Sequence, residues 1–108
     1  MRPGDVVTAD FPGVTGVKRR PAIVLSTEGY HRTRPDVILG LVTSQVAAAT
    51  QPSDCQLLDW KAAGLHRPSA FRAFLFTLPA ASVRAVGRLS DRDFHSVQAA
   101  VKAAIAVS

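Results

Sequence analysis

The sequence predicts an α+β fold: a small β-barrel of short, mostly antiparallel strands with one amphipathic helix packed against it. Three observations carry that prediction. Short apolar runs alternate with Gly, Pro and polar clusters from Asp5 to Leu89. After Ser90 the apolar residues switch to a helical period. The 108 residues, 47% hydrophobic and 19% charged, suit one folded domain over residues 1–108 and leave no room for a second.

In chain order, Pro3-Gly4 leads into a first strand, Asp5 to Phe11. Residues 12–17 form a loop punctuated by Gly13 and Gly16. The basic hinge Lys18-Arg19-Arg20 then runs into Pro21, which opens a short apolar strand from Ala22 to Ser26. Lacking polar alternation, that strand belongs in the centre of a sheet. Thr27 to Pro35 reads as a polar, basic connection, and Asp36 to Thr43 as a third strand, apolar on both faces. Val46 to Pro52 is an irregular excursion and Ser53 to Leu58 a fourth strand. Asp59 to Gly64 is a brief helical turn closed by glycine. Ser69 to Thr77 is a fifth strand after Pro68, Pro79 to Ser82 a helical turn, and Val83 to Leu89 a short strand containing Gly87. Ser90 with Asp93 approaches a capping box, and the helix should run from Asp91 to about Val107. Phe94, Val97, Val101, Ala104 and Ile105 mark its apolar face.

A formal charge of +5 and a pI near 10.4 point to a polyanion or an acidic protein as partner. No apolar run reaches the roughly 20 residues of a membrane span. The polar N-terminus does not read as a signal peptide, so a cytoplasmic location is expected. The single cysteine, Cys55, reads as a buried structural thiol. His31, His66 and His95 lack metal-ligand spacing, and neither a metal nor a cofactor is expected. His31 is a base by geometry or an ordinary surface histidine, and His66 falls in a turn.

Two segments carry the functional reading. Lys18-Arg19-Arg20-Pro21 stands at the mouth of one buried strand, and Thr43-Ser44-Gln45 closes another. If those strands are neighbours, guanidinium and hydroxyl groups converge on a site suited to a phosphodiester. Taken alone, the first segment reads as a solvated basic turn and the second as an ordinary strand exit; together they favour the functional reading for Arg20. Arg72 is the single charge in its apolar strand, so it needs a partner or a phosphate.

An ordered set of short motifs extends over nearly the whole chain. Gly4-Asp5-Val6-Val7 is followed by Arg20-Pro21-Ala22-Ile23-Val24-Leu25-Ser26 and by Val42-Thr43-Ser44-Gln45. Gly64-Leu65, Pro68-Ser69 with Arg72, Thr77-Leu78 and Gly87-Arg88-Leu89-Ser90 come later. In this set the chain resembles the MazF/PemK (Kid) family of type II toxin–antitoxin endoribonucleases, the smaller PemK-like members above all. The resemblance implies an SH3-like, CcdB/MazF-like barrel, a homodimer, metal-independent cutting of single-stranded RNA, and an antitoxin that masks the site with an acidic tail. By motif position it assigns catalytic roles to Arg20 and Thr43, and in some members to an arginine standing where Arg72 does. Those members carry an acidic residue as general base two positions further on, where this chain has Phe74.

RNA brings its own nucleophile, the 2′-hydroxyl. Arg20 can stabilise charge on the phosphoryl oxygens, and Thr43 can hydrogen-bond one of them or orient the 2′-hydroxyl. Lys18 and Arg19 would grip flanking phosphates, Ser44 and Gln45 would reach base edges or backbone, and Phe11 and Tyr30 are the candidate stacking platforms. Base preference should rest on Val14, Arg32 and Gln45. The alternative is a protein of the same fold that binds nucleic acid or gyrase without cutting.

Overall fold

The computed structural model describes residues 1–13 and 16–106. Its strands are β1 (Asp5–Gly13), β2 (Gly16–Val24), β3 (Asp36–Thr43), β4 (Asp54–Leu57), β5 (Ser69–Pro79) and β6 (Arg84–Arg88). Helix α1 spans Glu28–Thr33 and α2 spans Asp91–Ala104, with single 3-10 turns at Val46–Ala48 and Ala80–Ser82. The strands form one curled sheet in the order β4-β5-β3-β2-β1-β6, all pairs antiparallel, with α2 packed on β4 and β5. The α+β half-barrel with a C-terminal helix is therefore the fold that the apolar pattern predicted.

Both faces of the central strands are buried, which is why they read as unbroken apolar runs. One face gathers Val6, Ile23, Val42 and Phe71 under Val97 and Ala100 of α2. The other gathers Val7, Ala22, Val24, Val37 and Leu39, closed by Phe76, Leu78 and Val83. A Cβ on Gly40 would collide with the Phe71 ring, so the aromatic side chain sits directly on that strand's backbone.

Two predictions are corrected. Gly16 to Arg20, expected as loop and hinge, is strand: Arg20 pairs with Ala9, Arg19 with Asp10 and Lys18 with Phe11. Backbone pairing to β1 supplies the hydrogen bonds there whatever the side chains are, so a solvated basic sequence extends the hairpin. Thr27 to Pro35 contains α1 where a bare connection was expected. Thr27 caps it by accepting from the Tyr30 amide at 3.2 Å, but the helix buries no residue and leaves no apolar period to read.

Helix α2 ends at Ala104, with the Ile105 amide bonded to the Val101 carbonyl; the expected end at Val107 lies outside the described residues. Ala104 and Ile105, expected on the buried face, are exposed, because the last turn runs beyond the surface that the helix covers. At the other end the capping pattern does more than cap. Ser90 Oγ accepts from the Asp93 amide at 3.3 Å and donates to Asp59 Oδ2 at 2.5 Å. The Asp93 carboxylate, 1% exposed, accepts from the Leu58 amide at 2.9 Å and the Asp59 amide at 2.7 Å. Arg92 closes a fork on the Asp59 carboxylate at 2.7 and 2.6 Å. Those bonds from Arg92, then Ser90, pull the Asp59 carboxyl down to about 2. A network of matched charges thus clamps α2 to the segment after β4.

Candidate functional site

The ladder between β2 and β3 comprises Ala22 with Leu41, Ile23 with Gly40 and Val24 with Leu39, and there the strands part. Residues 16–21 of β2 continue paired to β1 on one side, leaving the other edge open. Pro21, without an amide hydrogen, stands at the point of parting, where β3 asks nothing of it. The last ladder pair, Ala22 with Leu41, stands two residues from Arg20 along β2 and two from Thr43 along β3. Thr43 pairs with Ala70, and Leu41 with Arg72. Directly opposed residues share a sheet face, as do residues two apart along a strand. By this alternation Arg20, Thr43 and Arg72 fall on one sheet face, counted from the Ala22–Leu41 and Leu41–Arg72 pairs.

At the parting lies a cleft of about 490 Å³. One wall is the β2 stretch from Lys18 to Pro21, with Thr8 of β1 behind it. Val42 and Ser44 form the floor at the end of β3. The segment after Gly64, chiefly Leu65, His66, Arg67 and Ser69, also lines the cleft. Gly64 allows that segment to lie where it does: its φ is +89°, and a Cβ there would stand 2.6 Å from the Val86 carbonyl oxygen. Leu65 is anchored in the core, while His66 and Arg67 are displayed at the surface. Ser69 Oγ fixes the far end by donating to the Arg67 carbonyl at 2.8 Å.

Four cationic side chains line this cleft, Lys18, Arg19, Arg20 and Arg67, and no carboxylate does among the described residues. Arg19 pairs with Asp10 at 3.0 Å, an exposed and solvent-screened contact. Among the described residues Lys18, Arg20 and Arg67 form no ion pair.

The remaining candidates divide around this cleft. Ser44 lines it; Thr43 is half-buried beside it and uses its Oγ1 to accept from the Gln45 amide at 3.1 Å. Gln45 is exposed at the rim turn. Arg72 lines a separate hollow of about 240 Å³ with Leu41, Ser53, Asp54 and Phe74, its Nε 3.5 Å from Asp54 Oδ1. The sheet there is bulged: Gly40 pairs with Leu75 and Leu41 with Arg72, leaving Ala73 and Phe74 extra. The carboxylate beside Arg72 therefore comes across the strand pair from Asp54, distant in sequence, and Phe74 points to solvent at 67% exposure.

Other side chains are occupied elsewhere. His31 Nε2 bonds Ser26 Oγ at 2.5 Å and Nδ1 the Met1 carbonyl at 3.1 Å, which ties down the chain's start. Asp5 receives Arg88 at 2.8 Å and the Arg2 amide at 2.9 Å, which orders the start of β1. Phe11 packs edge-on against Phe76 at 4.8 Å, so it is not an open stacking surface. Tyr30 is half-buried on α1, Arg32 is exposed there, and Val14 lies outside the described residues. Burial, then Asp93 and Asp54, push the Cys55 thiol up to about 11, as befits an inert structural cysteine. Sequence reasoning missed Thr8, His66 and Arg67 as cleft residues. The motif Gly64-Leu65 with Pro68-Ser69 bracketed the last two, but nothing local said which way they face.

Residues 2–105 match the family described as PemK-like, MazF-like toxin of type II toxin–antitoxin system, and the chain belongs to that family. No curated protein sequence is significantly similar to it. Among solved structures it is similar to an endoribonuclease bound to its cognate antitoxin from a mycobacterial species, at 18% identity and a TM-score of 0.81 over 96% of this chain and 93% of that one. It is similar to the MazE–MazF complex of Deinococcus radiodurans, at 21% identity and a TM-score of 0.75, covering 100% and 97% of the two chains. The Mycobacterium tuberculosis toxin MazF-mt6 aligns at 19% identity with a TM-score of 0.74, covering 93% and 94%. At these identities the likeness is one of fold.

Proposed function

We propose that this member of the PemK-like, MazF-like toxin family is a sequence-specific, metal-independent endoribonuclease that cuts single-stranded messenger RNA and so halts translation and growth. One observation supports the reading: a cleft lined by four cations, Arg20 among them, and by no carboxylate among the described residues opens where β2 parts from β3. Such a site attracts a polyanion and holds guanidinium donors where charge develops in phosphoryl transfer.

In the proposed reaction the 2′-hydroxyl attacks the adjacent phosphorus, giving a 2′,3′-cyclic phosphate and a 5′-hydroxyl end. Arg20 donates to the phosphoryl oxygens as their charge grows. Thr43 accepts from the Gln45 amide, which leaves its hydroxyl proton to donate to a phosphoryl oxygen. Arg72, held by Asp54, adds positive charge on the same sheet face. Lys18, Arg19, Ser44 and Gln45 take the flanking nucleotides.

The chain would act in the cytoplasm as a homodimer. The similar mycobacterial and Deinococcus proteins occur with antitoxins, and a cation-lined cleft fits an acidic antitoxin segment equally well.

The test is incubation of the purified protein with a long, weakly structured RNA in the presence of EDTA. Discrete cuts bearing 2′,3′-cyclic phosphates are expected, and Arg20→Ala should slow them by about 10²- to 10³-fold. Phe74, standing where some relatives carry an acid, favours one rival, a binder that does not cut. RNA left whole at large protein excess would establish that rival and end the nuclease reading.

A further inference from the structure

An attack by a 2′-hydroxyl needs a proton acceptor, and the position that supplies it in some relatives holds Phe74, which can accept none. The acid–base groups of the described residues can be taken one by one. Asp54 is enclosed (its side chain is 4% exposed), and its oxygens are engaged by Arg72 and by the Gln51 amide. Asp5, Asp59 and Asp93 are held by Arg88, Arg92 and backbone amides, the last two in the clamp on α2. Asp10 is bound to Arg19 and does not line the cleft. Both ring nitrogens of His31 are in use. Of the residues that line the cleft, Lys18, Arg19, Arg20 and Arg67 are cations, and Ser44, Ser69 and Thr8 carry alcohols with no proton affinity near neutrality.

One group is left. We infer that His66, an exposed side chain lining the same cleft as Arg20, is the catalytic base of this cleft: its imidazole takes the proton from the 2′-hydroxyl of bound RNA. The inference rests on the nuclease reading above and names the acceptor which that reading lacks. Imidazole is the side chain whose ordinary titration lies between pH 5 and 8, so it can accept a proton in neutral solution. The placement is built rather than incidental. Leu65 is sunk in the core, Gly64 lies against the Val86 carbonyl, and Ser69 grips the Arg67 carbonyl, so the segment bearing His66 is fixed on both sides. The charged groups sharing the cleft with the ring are Lys18, Arg19, Arg20 and Arg67.

In the step itself a ring nitrogen of His66 takes the 2′-proton while the 2′-oxygen bonds to phosphorus. The bond from phosphorus to the 5′-oxygen breaks, and the leaving oxygen takes a proton from water. His66 then returns its proton to solvent. No oxidant, reductant or further reactant is required.

The experiment compares the wild type, His66→Gln and His66→Ala on an RNA oligonucleotide spanning a mapped cut site, from pH 5 to 9. Binding is followed separately with the same oligonucleotide carrying a 2′-deoxy sugar at the scissile position. The expected result is a fall in kcat of about 10²- to 10⁴-fold in both variants with binding nearly unchanged. The rise of kcat/KM with pH through the imidazole range should disappear, and added imidazole should partly restore His66→Ala. His95→Gln, on exposed α2 surface away from the cleft, serves as control. If the wild type cuts and both His66 variants cut with the same rate and pH profile, the inference falls and the nuclease reading stands. If the wild type cuts no RNA at all, both fall together.

Discussion

Two polar regions of the molecule spend their charges in opposite ways. Around the start of α2, Asp59, Ser90, Arg92 and Asp93 answer one another and two backbone amides at 2.5 to 3.3 Å. Around the open edge of β2, three of the four cations have no ion-pair partner among the described residues. The first arrangement is internally complete and holds elements together. The second is incomplete without an anion, and like charges placed side by side repel until one arrives. Matched charges hold elements together here, and the unmatched cations are those that the proposed function assigns to binding.

The comparison breaks most readily at Asp93. Replacing it by alanine removes the acceptor of two amides and should cost about 2 to 4 kcal/mol. Urea unfolding measures that loss, and RNA cutting per folded molecule should be unaffected. A variant that kept its stability would show that the clamp does not hold the helix. The cleft should respond the other way. Lys18→Ala and Arg67→Ala should leave the urea midpoint in place while weakening RNA binding, each flattening the slope of log affinity against log salt by about 0.7. Unchanged slopes would remove these cations from the RNA path.

The smallest effect concerns acid. The Asp59 carboxyl is lowered from its ordinary 3.8 to about 2, so the folded state binds its proton less readily than the unfolded chain. Its contribution to stability is present above pH 3.8 and is lost as pH falls through about 2. Asp59→Asn should therefore flatten the dependence of unfolding free energy on pH in that window and lose, at neutral pH, the stability that the carboxylate supplies there. A wild-type acid slope in the variant would mean that Arg92 does not hold this carboxylate.

Legibility in the sequence followed the same division. β3 ran from Asp36 to Thr43 as expected, because a strand buried on both faces announces itself as an apolar run. Ser90 and Asp93 marked the start of α2, since capping is local chemistry. The neighbouring of the Arg20 and Thr43 strands could be anticipated because each residue closes or opens such a run, and β2 does pair with β3 from Ala22 to Val24. What escaped was non-local or unburied. α1 hides no residue and so shows no period; the Asp93 carboxylate reaches back to Leu58 and Asp59; Asp54 meets Arg72 only through the pairing of β4 with β5.

Composition and periodicity alone determined that this chain is basic, that its middle strands are buried and that a capped helix ends it, since each of these depends on neighbours along the backbone. The tertiary fold decided that residues 16–20 extend a hairpin, that the strands part at Pro21, and that His66 and Arg67 line one cleft with Arg20. Those outcomes depend on which strand edge stays unpaired and on where the Gly64 turn rests against β6. Backbone pairing and close approach between distant segments set them, and no local pattern of side chains records either.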